Sequence, residues 1–157
     1  MIRVREARPG DGPILMRTTI ALAQSHGVAH TVTATAHSFE QALFRQDPVI
    51  GALIAERGGE AVGSVVWHRS FSTNRGAEIM YLEDIAVLEE HRGKGVGLAL
   101  MRATAALAVA RGYPSVYWVL MDWNEKGERF YRRLGADIEA AIKLCRLEGE
   151  ALRALAQ

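Results

Sequence analysis

The segment Arg92-Gly93-Lys94-Gly95-Val96-Gly97 constrains this chain more than any other. It follows a strand-like run that ends Glu83-Asp84-Ile85-Ala86-Val87 and leads into an apolar helix from Leu98 to Ala110. A strand, a glycine-rich turn and a helix N-terminus together form an anion cradle. The first N–H groups of a helix have no intrahelical acceptor, and the helix dipole adds partial positive charge at the same place. Glycine lets the turn adopt positive φ and approach a ligand closely. The occupant expected there is a small molecule that carries phosphate.

The chain has 157 residues, the size of one domain with a substantial core. With 49% hydrophobic and 24% charged residues it has a globular composition, and its net charge of +1 gives no reason to expect a nucleic-acid surface. A lone cysteine, Cys145, excludes an internal disulfide and the multi-cysteine metal sites; in the apolar run from Ala140 to Leu147 it is expected to be a buried, inert thiol. No run is long enough for a membrane span and no leader pattern is visible, so a cytoplasmic location is expected.

Alternation over Ile2 to Ala7 predicts a strand. Asp11 is placed to cap a helix, with Pro13 in its first turn, that runs to about Gln24. Ser38 is expected to cap a second helix, ended by Asp47-Pro48. Gly51 to Glu56 and Ala61 to Phe71 flank Arg57-Gly58-Gly59-Glu60, the pattern of a hairpin with a Gly-Gly turn. Ala77 to Val87 is the next strand. The helix from Leu98 is apolar nearly all round, which predicts deep burial, and Arg111-Gly112 ends it. Ser115 to Met121 reads as a buried strand, Asn124 to Leu134 as a capped helix, Asp137 to Leu147 as a strand and the residues from about Glu150 as a terminal helix. The sum is an α+β domain over 1–157: a mixed, largely antiparallel twisted sheet with helices on both faces.

Other phosphate loops do not fit. A P-loop requires Gly-Lys-Ser/Thr, and here Gly93-Lys94 is followed by Gly95. The dinucleotide fingerprint fails because Leu98 stands in place of its third glycine. What remains is Arg-x-x-Gly-x-Gly after a strand. With Tyr81-Leu82-Glu83-Asp84 before it, Trp123-Asn124 after the next strand, and Phe130-Tyr131-x-x-Leu134-Gly135-Ala136, the chain resembles the GNAT superfamily of N-acyltransferases. From about Val62 to Asp137 it resembles the diamine and polyamine branch, which includes spermidine/spermine and thialysine N-acetyltransferases.

The resemblance implies a GNAT fold, acetyl-CoA as acyl donor, no metal, and a role for each segment. Strand residues Ile85, Ala86 and Val87 would splay from their neighbour and offer backbone groups to the pantetheine arm. Backbone N–H groups of Arg92, Gly93, Lys94, Gly95, Val96, Gly97 and Leu98 would hold the pyrophosphate, with Arg92 and Lys94 adding charge. Tyr131 matches the catalytic tyrosine that protonates the leaving sulfur, Glu83 the candidate base acting through water, and Asn124 a cofactor contact as well as a helix cap. An alkylammonium must lose a proton before its nitrogen attacks a thioester, and a carboxylate can take it. Adjacent acids in a strand point to opposite faces unless the strand is bulged. Glu83 is therefore assigned to the amine side, with Asp84 as a structural hydrogen-bonder or the lining of another wall. Asp122 is a further candidate for amine recognition.

The stretch from Gly12 to Phe39 has no Asp or Glu, only His26, His30 and His37. Polycations gain affinity from distributed carboxylates, so this departure points away from spermine and spermidine and towards a smaller amine. The same chemistry on a protein lysine or N-terminus, and a CoA-binding module without turnover, are the other readings. An acid and a phenol together favour catalysis over mere binding. The branch also implies a homodimer; Trp67, Tyr117 and Trp118 suit a core or an interface equally.

Overall fold

The computed structural model describes residues 1–156. Its residues gather into two compact units, Met1–Val119 and Leu120–Gln157.

The first unit is built on a five-stranded sheet in the order β1-β2-β3-β4-β5: β1 Ile2–Glu6, β2 Gly51–Arg57, β3 Glu60–Ser72, β4 Ala77–Val87 and β5 Val116–Tyr117. All neighbours are antiparallel except β4 and β5. The β2–β3 hairpin turns on Gly58 and Gly59 at φ +63° and +84°, the pair of positive values that a two-residue turn between right-twisted strands requires. Two helices, α1 Gly12–Ser25 and α2 Ala36–Phe44, pack on one face around Leu15, Leu43, Ile54 and Val66. On the other face α3 Val96–Ala110 closes a second core with Leu53, Val65, Trp67, Met80 and Leu82. The mixed sheet with helices on both faces is as the sequence predicts.

Several local expectations change. Asp11 stands at the start of α1, but its carboxylate does not cap the helix. It takes Arg5 in a two-pronged ion pair at 2.6 and 3.0 Å, and the Arg8 N–H at 2.8 Å. Glu40 of α2 caps instead, accepting from Gly12 N at 2.6 Å and Gly10 N at 3.1 Å. Thr35 rather than Ser38 caps α2, and Ser38 completes a reciprocal capping box from the third helical position. Burial in α3 is a single stripe, Val96, Leu100, Thr104 and Ala108, while Ala105, Ala106, Val109 and Ala110 are exposed. One sheet face can cover only one side of a helix, and alanine is inexpensive to expose and favours helix in any setting.

The predicted strand over Ser115 to Met121 shrinks to Val116–Tyr117, because only Met80 and Tyr81 of β4 supply a partner there. In the second unit α4 spans Glu125–Arg133 and α5 spans Gly149–Leu155. No strand forms over 137–147 among the described residues, and 139–148 are exposed throughout. Alternation without a partner ladder leaves backbone N–H and C=O groups to water. Cys145 lies on this segment and is exposed, not buried. Among the described residues no helix is long and apolar enough to cross a membrane.

Candidate active site

The turn after β4 adopts the shape that its glycines permit. Gly93 and Gly95 take φ +71° and +83°, and Gly95 stands at the N-cap of α3 with no side chain closing the helix end. The first bond of the helix runs from Ala99 N to Gly95 O at 3.0 Å, so the N–H groups of Val96, Gly97 and Leu98 precede the ladder. Arg92 Nε donates to Val87 O at 3.0 Å and Lys94 Nζ to Glu90 O at 2.8 Å, which folds both cations back onto the turn. Beside it lies a cavity of about 700 Å³ between α1 (Met16, Ile20, Gln24) and Leu88, Glu90 and Arg92. From Leu82 onward β4 has no strand on its β5 side among the described residues, because the parallel pairing ends at Tyr81↔Tyr117. Ile85, Ala86 and Val87 thus lie where one ladder is missing, and the arrangement fits a group with phosphates at the helix end and hydrogen-bonding amides along the strand.

A bulge decides where the two acids point. β3 pairs Trp67 with Leu82 and Val66 with Asp84, which leaves Glu83 as the extra residue. Leu82 and Ile85 both pack towards the α3 core, so Glu83 and Asp84 between them share the opposite face. Asp84 Oδ2 accepts a 3.4 Å hydrogen bond from Thr19 Oγ1 on α1, and Glu83 Oε2 lies 3.8 Å from His68 Nε2. The sequence places these acids on opposite faces by simple alternation; the bulge brings them together. A phase slip in the apolar pattern, Met80 and Leu82 followed by Ile85 and Val87, is the signal that marks it.

Burial, and after it the negative charge of Glu83, push the Asp84 carboxyl above the usual carboxylate range, while Thr19 and His26 act the other way. Burial and Glu83 likewise raise the Tyr81 phenol. Tyr81 stacks on His68 at 5.0 Å between ring centroids. Sequence reasoning missed His68 and Tyr81. Tyr81 lies two residues before Glu83 on the same strand face, but His68 reaches the group only through the β3–β4 register.

The remaining candidates belong to the second unit. Asn124 caps α4, its Oδ1 accepting from Gly127 N at 2.9 Å. Gly127 is needed for this, since a Cβ there would lie 2.7 Å from Asn124 Nδ2. Asp122 is exposed in the turn before the helix. Tyr131 is buried, with Phe130 at 5.2 Å between ring centroids, and burial pushes its phenol up to about 12.

Residues 18–136 match the profile of the acetyltransferase (GNAT) family. The chain belongs to that family. It is an acetyltransferase, and its similarity to curated members runs over nearly the whole length. It is 33% identical to thialysine N-epsilon-acetyltransferase of Mus musculus over 98% of this chain and 96% of the relative. It is 37% identical to L-ornithine N5-acetyltransferase of Arabidopsis thaliana over 59% of this chain and 41% of that protein. Similarity to the human spermidine/spermine N(1)-acetyltransferase-like protein 1, at 24% identity over 85% of this chain and 20% of that protein, supports the same branch. Among solved structures, a ribosomal-protein-alanine N-acetyltransferase from Brucella melitensis has the same fold, with a TM-score of 0.74 and 22% identity, over 94% of this chain and 100% of the other.

Proposed function

We propose that this acetyltransferase moves an acetyl group from acetyl-CoA to a primary amine of a small molecule by direct attack on the thioester. The observation that carries the reading is the β4 bulge, which sets Glu83 and Asp84 side by side on the strand that leads into the glycine turn. Acetyl-CoA supplies the acyl group as an activated thioester. The N–H groups at the start of α3 and the glycine turn would take its pyrophosphate, and the unpaired edge of β4 its amide arm. Asn124 is a further cofactor contact in this reading. Glu83, largely exposed and free to rotate, takes the proton from the acceptor ammonium, directly or through water, and frees the nitrogen lone pair. Asp84, held by Thr19, attracts the ammonium, as does Asp122. Tyr131 gives its proton to the sulfur as the carbon–sulfur bond breaks, and the phenolate takes in return, directly or through water, the second proton that the acylated nitrogen sheds. No metal takes part in these steps.

The acceptor class proposed is a diamine or a lysine-like amino acid, ahead of a polyamine. The thialysine and ornithine relatives act on small molecules with one side-chain amine. The acid-free stretch from Gly12 to Phe39 withholds the extra carboxylates that a polycation would use. We place the activity in the cytoplasm, residues 1–157 acting as one catalytic domain and two copies forming a homodimer. The test is thiol release from acetyl-CoA by purified protein across diamines, polyamines, lysine, thialysine, aminoglycosides and lysine peptides. Release with diamines or lysine-like amines above all others is expected. Release with peptides alone would move the acceptor to proteins, and none with any amine would leave a CoA-binding module.

A further inference from the structure

His68 is the only imidazole ring facing Glu83 among the ion pairs of the described residues, and its orientation is fixed from behind. Its Nδ1 lies 3.0 Å from the Arg69 carbonyl oxygen. A carbonyl can only accept, so Nδ1 carries the hydrogen, and in the neutral form of the ring it is an unprotonated Nε2 that faces Glu83. Stacking on Tyr81, at 5.0 Å and 30° between planes, holds the ring plane. Its other side meets solvent: the His68 side chain is 35% exposed and borders a groove of about 860 Å³ reaching Arg69, Phe71 and Glu78. The charges nearby have other engagements. Asp84 is turned to Thr19, and Arg69 to Glu78 at 3.7 Å. Glu6, which also lines the groove, pairs with Arg111 at 2.9 Å, and Asp47 is a further acid of the lining.

We infer that His68 is a positioning residue that receives, through Nε2, the proton Glu83 takes from the acceptor amine, and passes it to the groove. This rests on the proposed role of Glu83 as base. The balance is simple. The N–H bond of the ammonium breaks and its electron pair stays on nitrogen. The proton moves to a Glu83 carboxylate oxygen and then to His68 Nε2, giving an imidazolium, and finally to water in the groove, leaving both residues as they began. The 3.8 Å between Oε2 and Nε2 closes to hydrogen-bond distance with a small rotation of the exposed Glu83 side chain. A strand carboxylate alone would have to shed its proton beside a second carboxylate that is itself reluctant to stay ionised; the imidazole gives that proton a separate way out.

The test uses His68→Ala, His68→Phe and Glu83→Gln in the full chain with the best amine of the panel. His68→Ala is expected to lower kcat about 10-fold with KM little changed, below the ~10²- to 10⁴-fold range of a complete general base. Added imidazole should restore most of that rate in His68→Ala, which leaves room for the ring. It should not do so in His68→Phe, which keeps the Tyr81 stack but fills the space, nor in Glu83→Gln. Should His68→Ala fail to fold, a slow His68→Phe with normal KM supports the relay by itself. Wild-type kcat in both His68 variants, or a slow His68→Ala that imidazole leaves unchanged, overturns the relay. If Glu83→Gln is slow in that event, the base survives without its relay; if Glu83→Gln also turns over normally, both readings fall.

Discussion

A phenol held up to about 12 by burial keeps its proton across the range in which amines are acetylated, so Tyr131 enters the reaction as a proton donor and not as a base. Replacing Tyr131 with Phe keeps the ring and its packing and removes only the donor. Turnover is expected to fall by roughly 10- to 1,000-fold, within and just below the range for a general acid, while the Kd for CoA measured by calorimetry stays near the wild-type value. Unchanged turnover would remove Tyr131 from the chemistry. At this scale the sequence was legible for residue type. Glu83, Asp84, Asn124 and Tyr131 carry side chains whose chemistry is plain from their motifs, and Asn124 does cap its helix. Their surroundings were not legible. That Asp84 is raised by burial, or that His68 faces Glu83, depends on which strand residues are opposite one another, and no local pattern around residue 68 states it.

Helix starts and strand ends are set by a few torsions, and α3 depends on one of them. Gly95 sits at φ +83°, and the nearest atom to a Cβ built there is Ile2 Cδ1 at 3.8 Å, an ordinary contact. The obstacle to a side chain is therefore the backbone torsion and not a lack of space. Gly95→Ala is expected to cost about 1–2 kcal/mol of stability, read as a lower Tm, through left-handed strain. If the chain relaxes by turning the first N–H groups of α3, the Kd for CoA should rise about 5-fold, the factor that ~1 kcal/mol produces. An unchanged Kd would mean that those N–H groups do not hold the pyrophosphate. The glycine turn, the hairpin at Gly58-Gly59 and the extent of β4 were readable because glycine and alternation act locally. The cap of α1 was not, because its donors are met by Glu40, 28 residues away from Gly12, while Arg5 draws off the Asp11 carboxylate.

Over the whole molecule, the mixed sheet and its two helical layers followed from where the apolar faces fall, the order of the strands came only from the structure, and the C-terminal strand did not form. Residues 139–156 are exposed and carry Ile142, Leu144, Leu147, Leu152 and Leu155 at 69%, 65%, 47%, 50% and 76% exposure. Five large apolar side chains exposed along one stretch of chain are what an interface would cover, and this supports the proposed homodimer. Sedimentation equilibrium is expected to give the mass of two copies, and Leu144→Asp with Leu147→Asp to shift it to one. A wild-type mass of one copy would leave the dimer without support.

The miscount of one residue in β4 has a consequence of its own. Leu82, Asp84 and Ile85 would alternate cleanly if Glu83 were simply absent, each apolar side chain still meeting the face it packs on now. The gene for this protein therefore lies one codon away from a more regular sheet. Shortening the strand by that codon would mend the ladder and leave Asp84 as the sole carboxylate on that stretch of β4. With Glu83 as the proposed base, the irregularity is where the chain gives up regular pairing for a second carboxylate, and drift towards stability alone would erase it.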